Sequence, residues 1–213
     1  TYTALDTWRA LDGRPLYDHA ISGGHLYQAH LRHLLSTRLG VRWGPVHNGW
    51  AEIIGVPAEV IAEFSQRRDE IEEMLAESGY SSARARQAAT LASRAAKDYG
   101  VSPDTIVGQW RARANDAGFD DEAVQACFGH EPATPLAAEQ LEAMLDRLGG
   151  PHGITEQTST LTRRDVVKWI ANHAAATMSA TDVERAADRF LGSSRVVPLM
   201  PEGIRRRGQL AIG

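Results

Sequence analysis

Hydrophobic positions along the chain recur mostly at helical spacing. In residues 57–78, apolar side chains return every three, four or seven positions, as in one amphipathic helix or two helices in tandem. Pro57 suits a first helical turn, because that position needs no N–H donor. Ser65 can cap a second segment by accepting from a free backbone N–H. Arg67 and Arg68 are adjacent on this element and cannot both face its core, so at least one points outward.

The same periodicity predicts helices over much of the remaining chain. A first helix is expected at residues 22–39, ending at Gly40 in a left-handed cap. Its apolar side would be formed by Leu26, Leu31, Leu34, Leu35 and Leu39. Ser102 opens a helix with Ile106, Trp110 and Ala114 facing inward. Further helices are predicted at residues 81–99, 120–128 and 136–148, and in two segments capped by Thr162 and Thr181.

Extended structure is predicted at fewer places. Residues 1–17 look extended, with a turn at Asp12-Gly13. Asn48-Gly49 is a strong hairpin signal, because both residues tolerate positive φ. Short strands are expected at residues 41–43, 50–54 and 195–200, and residues 203–212 are expected to form a basic turn leading into another strand. Two short helices followed by strands near the end of the chain are similar to a winged-helix layout. The fold class indicated is mainly α with small β-hairpin or strand elements, an α+β chain.

Residues 129–135 form a candidate boundary, since this loop carries His130, Pro132 and Pro135. The predicted division is therefore residues 1–130 and residues 131–213. A chain of 213 residues is long enough for one large domain or for one and a half small ones.

Charge limits the classes of partner. The net charge of −4 argues against a uniformly basic nucleic-acid binder, although a local basic face is compatible with it. The basic residues are nearly all arginine, with only Lys97 and Lys168 as lysines. Arginine suits phosphates and base edges, and a genome bias towards arginine would give the same composition.

Several kinds of site are missing from the sequence. Cys127 is the single cysteine, which excludes an intrachain disulfide and fits a reducing cytoplasm. No apolar run is long enough to span a membrane, so no membrane partner is expected. There is no phosphate-binding loop and no H-E-x-x-H motif. His30 and His33 share a helix face after His25, but two ligands are too few for a metal, and solvated or capping roles are expected.

Five ordered motifs resemble the relaxase domain of TrwC/TraI-type (MobF) conjugative relaxases, in its distal part. The longest is G-V-P-x-E-V-I-x-x-F-S-x-R-R-x-x-I-E from Gly55 to Glu72. The others are W-R-A-L-D-G-R-P-L-Y at Trp8 to Tyr17, L-Y-Q-A-H-L-R-H-L-L at Leu26 to Leu35, R-L-G-V-R-W at Arg38 to Trp43 and S-T-L-T-R-R-D-V at Ser159 to Val166. The resemblance covers most of the chain. It implies that residues 1–130 are a distal relaxase segment and that residues 131–213 are a helical linker leading into a helicase region.

The resemblance also implies a parent activity. Relaxases of this type nick one DNA strand by transesterification with a tyrosine, and a divalent metal held by three histidines polarises the scissile phosphate. In the family these groups precede the motif that begins at Trp8, so they would fall upstream of Thr1. His19, His25, Tyr2 and Tyr17 do not match their positions. No catalytic or metal-binding residue is therefore assigned, and both ends look cut from a longer multidomain protein whose intact form needs the metal.

The role implied for this piece is to hold single-stranded DNA near the nick. Single strands are gripped by cationic grooves and stacking aromatics. The candidate DNA-binding residues are Gln28, Arg32, Arg38, Trp43, Trp50, Arg67 and Arg68. Gln28 and Arg32 lie one helical turn apart and are expected to reach one ligand together. Core packing of the tryptophans and solvation of each single arginine are the simpler alternatives.

A second function remains open. The acidic run between Glu59 and Glu77 suits a protein partner, so the chain could be a non-catalytic helical module that docks other proteins of a transfer apparatus. The rest of the relaxase-helicase chain is a further expected partner. DNA binding through several arginines would weaken steeply with salt, which separates the two functions.

Overall fold

Helices dominate the part of the chain that the structure describes. The computed structural model describes residues 12–65, 71–76, 82, 102–156, 158 and 160–199. The helices are α1 (Arg14–Leu39), α2 (Ala58–Phe64), α3 (Pro103–Asp116), α4 (Asp121–Ala126), α5 (Ala138–Leu148), α6 (Arg163–His173) and α7 (Ala180–Leu191). Residues 71–76 are also helical. The predicted mainly α class is confirmed at this level.

The described residues belong to two compact units. The first unit draws on Thr1–Arg38, Trp43–Ala51 and Glu131–Gly213, and the second on Leu39–Arg42 and Glu52–His130. Each unit is a set of residues that contact one another more than they contact the rest of the chain. The functional division at residue 130 stays a prediction.

The core of the first unit is built by α5, α6 and α7. On α7, Val183, Ala186, Ala187 and Phe190 are buried at helical spacing, as predicted. They pack against buried residues of the other two helices, among them Met144, Leu145, Leu148, Val166, Val167 and Ile170. From α1, Ala29 joins this cluster and Leu26 packs against it. The first unit therefore has a core of three helices, to which α1 contributes Ala29 and Leu26.

Hydrogen-bonded caps set the start of α6 and α7. Thr162 opens α6 as predicted, and its backbone N–H donates to Asp165 Oδ2 at 2.8 Å. The predicted cap of α7 at Thr181 is wrong, because the helix begins two residues earlier behind Ser179. The Asp182 N–H donates to Ser179 Oγ, and the Ser179 hydroxyl donates to Asp182 Oδ2 at 2.6 Å. That hydroxyl holds the pKa of Asp182 below its usual value.

The second unit has a small core. Val60, Phe119 and Cys127 are buried, with Ala114 and Val124 packed against them. Ala114 thus faces inward as predicted, but Trp110 does not, since about half of it (54%) is exposed. The reason is local: the chain turns back after α3, and the Phe119 N–H donates to the Ala114 carbonyl at 2.8 Å. The core therefore forms at the end of the helix.

A partly exposed ion pair joins two helices of the second unit. Arg113 of α3 donates from Nε to Glu63 Oε1 at 2.9 Å and from Nη2 to the Glu63 carbonyl at 2.7 Å. Its guanidinium also lies 4.9 Å from the centre of the Phe64 ring. Both acceptors lie at the end of α2, which ends at Phe64 with Ser65 as its C-cap. With residues 71–76 also helical, the described residues agree with the predicted alternative of two helices in tandem and not with a single helix.

The predicted extended structure needs correction at the start of the described chain. Residues 14–17 are helical, because α1 begins at Arg14 and the Arg14 N–H donates to Asp12 Oδ1. The helix therefore starts eight residues before the predicted bound of residue 22. Residues 1–11 lie outside the described part, so the prediction there is untested.

The predicted hairpin is present only as its turn. Asn48 and Gly49 have φ of 49° and 92°, and His47 and Trp50 form an antiparallel bridge. In the described residues, 41–43 and 50–54 contain bridges but no strand, and residues 195–199 contain no strand either. Arg195 is instead held at α5 by Asp146 and Glu142. The first strand that the winged-helix interpretation needs is therefore not formed. Residues 203–212, where the second was expected, lie outside the described part, as do residues 81 and 83–99 of a predicted helix.

The cap of α7 gives a testable difference in stability. Ser179→Ala should lower the free energy of unfolding by about 1 kcal/mol, because the first turn of α7 loses the hydroxyl that accepts from Asp182. Thr181→Ala, inside the helix, should change it by less than about 0.5 kcal/mol. Urea unfolding of both variants measures this, and equal losses would show that Ser179 is not the cap.

Candidate nucleic-acid interface

The buried face of α1 is polar, not the leucine side expected from the sequence. Its buried residues are Ser22, His25, Ala29, Arg32 and Ser36, at spacings of three and four. The leucines lie beside this face and are only partly buried, and Leu39 is exposed. Small and polar side chains let α1 lie close to the connection between α6 and α7 and bond its backbone. The prediction that α1 buries its leucine side is therefore wrong.

Arg32 is the largest fully buried side chain of the described residues. Its Nη1 donates to the Gly49 carbonyl at 2.6 Å, its Nη2 to the Ala171 carbonyl at 3.0 Å and its Nε to the Ala175 carbonyl at 3.1 Å. Within the described chain no carboxylate pairs with it. Burial lowers the pKa of the Arg32 guanidinium from its very high ordinary value.

Two of these carbonyls lie at the C-terminal end of α6, where the helix dipole favours a cation. Ala175 follows the cap Ala174 with a φ of 48°, a conformation that turns the chain away from the helix. Arg32 thus ties the end of α6 to the Asn48-Gly49 turn. This corrects the expectation that Arg32 reaches DNA directly, because its donors are turned into the protein.

Gly49 lies directly against His25. A Cβ added at Gly49 would stand 2.5 Å from His25 Nδ1, and the φ of 92° also disfavours any side chain. The His25 Nδ1–H donates to Asn172 Oδ1 at 2.8 Å, which fixes the ring. The turn is therefore held on α1 by the hydrogen bond from Arg32 to the Gly49 carbonyl and by the close contact of Gly49 with His25.

The other two histidines of α1 bond the same connection. His30 Nδ1 accepts from the Ala180 N–H at 3.3 Å, in the first turn of α7. His33 Nδ1 donates to the Ala176 carbonyl at 3.2 Å. The capping role expected for His30 is confirmed.

These contacts create a groove beside the turn, which we call the Trp50 groove. It has a volume of about 370 Å³ and is lined by Ala20, Ile21, Gly24, His25, Tyr27, Gln28, Asn48, Gly49 and Trp50. Two predicted residues, Gln28 and Trp50, meet here. Tyr27 and Trp50 are exposed aromatic rings, and none of the lining residues is a carboxylate.

Such a groove can stack flat rings and bond their edges. Tyrosine and tryptophan offer stacking faces, while the amides of Gln28 and Asn48 supply donors and acceptors. No arginine or lysine lines it, so phosphates would need cations elsewhere. Tyr27 and Asn48 were not predicted as DNA-binding residues, although Tyr27 precedes Gln28 and Asn48 belongs to the predicted turn.

Two other predicted residues, Arg38 and Trp43, are not among those that line this groove. Arg38 is exposed in the last turn of α1. Trp43 is half-buried, and its Nε1 is buried without a hydrogen-bond partner among the described residues. Arg67 and Arg68 lie outside the described part, so their prediction is untested.

A comparison with protein families decides the identity. A family model described as TrwC relaxase matches residues 1–117, more than half of the chain. The chain belongs to the TrwC relaxase family. The matched segment includes α1, the Asn48-Gly49 turn and every residue of the Trp50 groove. The resemblance to the relaxase family is therefore confirmed over residues 1–117, which contain four of the five motifs.

Two solved structures are also similar to this TrwC-family chain. They are the conjugative relaxase TrwC in complex with oriT DNA, in metal-free form, and the same relaxase with mutant oriT DNA. Each is 29% identical, covers 56% of this chain and has a TM-score of 0.46. Only 42% and 44% of the two relaxase chains are covered, so this chain spans less than half of their length. No curated protein matches the chain.

The metal expected in an intact relaxase does not fit the described residues. Among them, no group of three or more His, Cys, Asp and Glu side chains could hold an ion. His25, His30 and His33 each use a ring nitrogen in a bond within the fold.

In the described part, no helix is both long and apolar enough to cross a membrane.

Replacing the buried guanidinium should be costly. Arg32→Lys should lower the free energy of unfolding by about 2–4 kcal/mol, because one ammonium cannot serve three diverging carbonyls and leaves buried acceptors unpaired. Arg38→Lys at the exposed end of α1 should cost less than about 0.5 kcal/mol. Chemical denaturation of both variants tests this, and a similar small loss for the two would refute the buried role.

The contact of Gly49 with His25 has a matched control in α1. Gly49→Ala should destabilise the protein by about 1–3 kcal/mol, through the positive φ and the clash with His25. Gly23→Ala meets no atom within 4 Å and should stabilise the helix by about 0.5–1 kcal/mol. Thermal unfolding compares them. A neutral Gly49→Ala would mean that the turn does not pack on His25.

Proposed function

We propose that this chain is a non-catalytic segment of a conjugative DNA relaxase that binds and positions single-stranded DNA. The parent reaction would be site- and strand-specific nicking by transesterification during plasmid transfer, in the cytoplasm. The observation that carries the proposal is the Trp50 groove, which lies wholly within the family-matched residues. Residues 131–213 would lead into a helicase region, and proteins of the transfer apparatus are further partners.

The groove would hold bases and not the sugar-phosphate backbone. Its exposed Tyr27 and Trp50 offer stacking faces to unpaired bases, and base stacking contributes about 1–3 kcal/mol per base. Gln28 lines the groove, and its amide can bond a base edge. Arg32 then acts as a positioning residue, because it fixes the turn that carries Trp50.

Phosphates would be bound by arginines outside the groove. Arg38 is exposed at the end of α1, and Arg67 and Arg68 are the sequence-based candidates for a second cationic contact. Trp43 completes the predicted set through its unpartnered indole N–H, which can donate to a DNA acceptor if the side chain shifts.

Fluorescence anisotropy of a labelled single strand of about 25 nucleotides tests the proposal at low and moderate salt. Trp50→Ala should weaken binding by about fivefold or more, the loss of one stacked base. Trp110→Ala removes an equally exposed tryptophan from the second unit and should leave binding unchanged. Equal behaviour of the two variants would exclude the Trp50 groove as the site.

The arginine pair is tested by the same titration. An Arg67→Ala, Arg68→Ala double variant should weaken binding and reduce its salt dependence, because each lost phosphate contact lowers the slope by about 0.7. If the folded chain binds no single strand even at low salt, DNA binding by this segment is refuted and the protein-docking function takes its place.

A further inference from the structure

A second groove runs along α6 in the first unit, which we call the α6 groove. It has a volume of about 410 Å³ and is lined by Glu156, Thr158, Thr160, Lys168, Trp169 and Asn172, among others. These residues follow the family-matched segment, which ends at residue 117. In the proposed function they belong only to the segment that leads into a helicase region.

The two grooves adjoin at one hydrogen bond. Asn172 lines the α6 groove, and its Oδ1 accepts from His25, which lines the Trp50 groove. Both residues belong to the first unit. Residues that line the two grooves are therefore in direct contact at this pair.

The α6 groove has a stacking surface. Trp169 and His173 are one helical turn apart and stack with ring centres 3.6 Å apart and an angle of 15°. The His173 Nδ1–H donates to the Trp169 carbonyl at 2.7 Å, which holds the pair in place. Trp169 lines the groove and is only partly buried, so it can extend the stack with an unpaired base.

The groove also has an exposed cation. Lys168 is exposed, and its ammonium forms no ion pair with any residue that the structure describes. Two carboxylates line the same groove. Asp165 accepts from the Thr162 N–H and hydroxyl at 2.8 and 2.6 Å and keeps its negative charge, and Glu156 lies 3.6 Å from His152. Lys168 attracts a phosphate, and Asp165 and Glu156 oppose it.

We propose that the single strand continues from the Trp50 groove into the α6 groove. There a base stacks on Trp169 and a neighbouring phosphate is held by Lys168. This inference rests on the proposed DNA binding at the Trp50 groove and adds a second set of contacts from the part of the chain beyond the family match.

The test compares two lengths of labelled oligothymidylate on the full 213-residue chain. A short strand of about 6 nucleotides covers one groove, and a strand of about 20 covers both. The long strand should bind at least about fivefold tighter than the short one. Lys168→Gln should weaken the long strand and lower its salt slope by about 0.7, and Glu156→Gln should strengthen it, while neither affects the short strand.

Controls outside both grooves isolate the effect from net charge. Arg147→Gln and Glu139→Gln remove the same charges from exposed positions on α5. They should leave the difference between the two strands unchanged. Opposite effects of Lys168→Gln and Glu156→Gln cannot come from a loss of folding.

The outcomes separate this inference from the proposed function. If the short strand binds through Trp50 but the long strand gains nothing, the α6 groove is refuted alone. A gain for the long strand that ignores Lys168 and Glu156 also refutes it. If the short strand fails to bind, or binds equally well to Trp50→Ala, the proposed function itself fails and this inference falls with it.

Discussion

A buried arginine that bonds three backbone carbonyls organises the first unit. Arg32 fills the space between α1, the Asn48-Gly49 turn and the end of α6, and its hydrogen bonds reach all three. A planar guanidinium can do this because its donors point in fixed, diverging directions. Its charge is placed at the negative end of the α6 dipole, which offsets part of the cost of burial. His25 supports the same arrangement from the other side of Gly49.

The buried contacts of the Asn48-Gly49 turn determine where its exposed side chains lie. Because Arg32 and His25 hold the turn on α1, Trp50 lies beside α1 and forms a groove with Tyr27 and Gln28. The same region of α1 reaches Asn172 through His25, so residues that line the two grooves are in contact. A negatively charged chain can present the Trp50 groove to DNA, since none of the residues that line this groove is a carboxylate.

Periodicity and caps predicted most helices, because these signals are local. Ser102 and Thr162 open helices as expected, whereas α7 is capped by Ser179 and not by the predicted Thr181, and each of these two residues precedes an acidic residue by three positions. The face of α1 could not be predicted, since its burial depends on carbonyls of a segment about 140 residues away. For the same reason Arg32 looked like a surface cation. The Asn48-Gly49 turn was recognisable, but its flanking strands were not formed.

Photocrosslinking tests the central claim most directly, that Arg32 and the turn present a base-stacking surface to single-stranded DNA. A strand carrying 5-bromodeoxyuridine is irradiated with the folded chain, and the crosslinked residue is identified by mass spectrometry. The account predicts crosslinks at Tyr27 or Trp50 that disappear when Gly49→Ala displaces the turn. Crosslinks confined to the second unit, for example at the exposed Trp110, would contradict it.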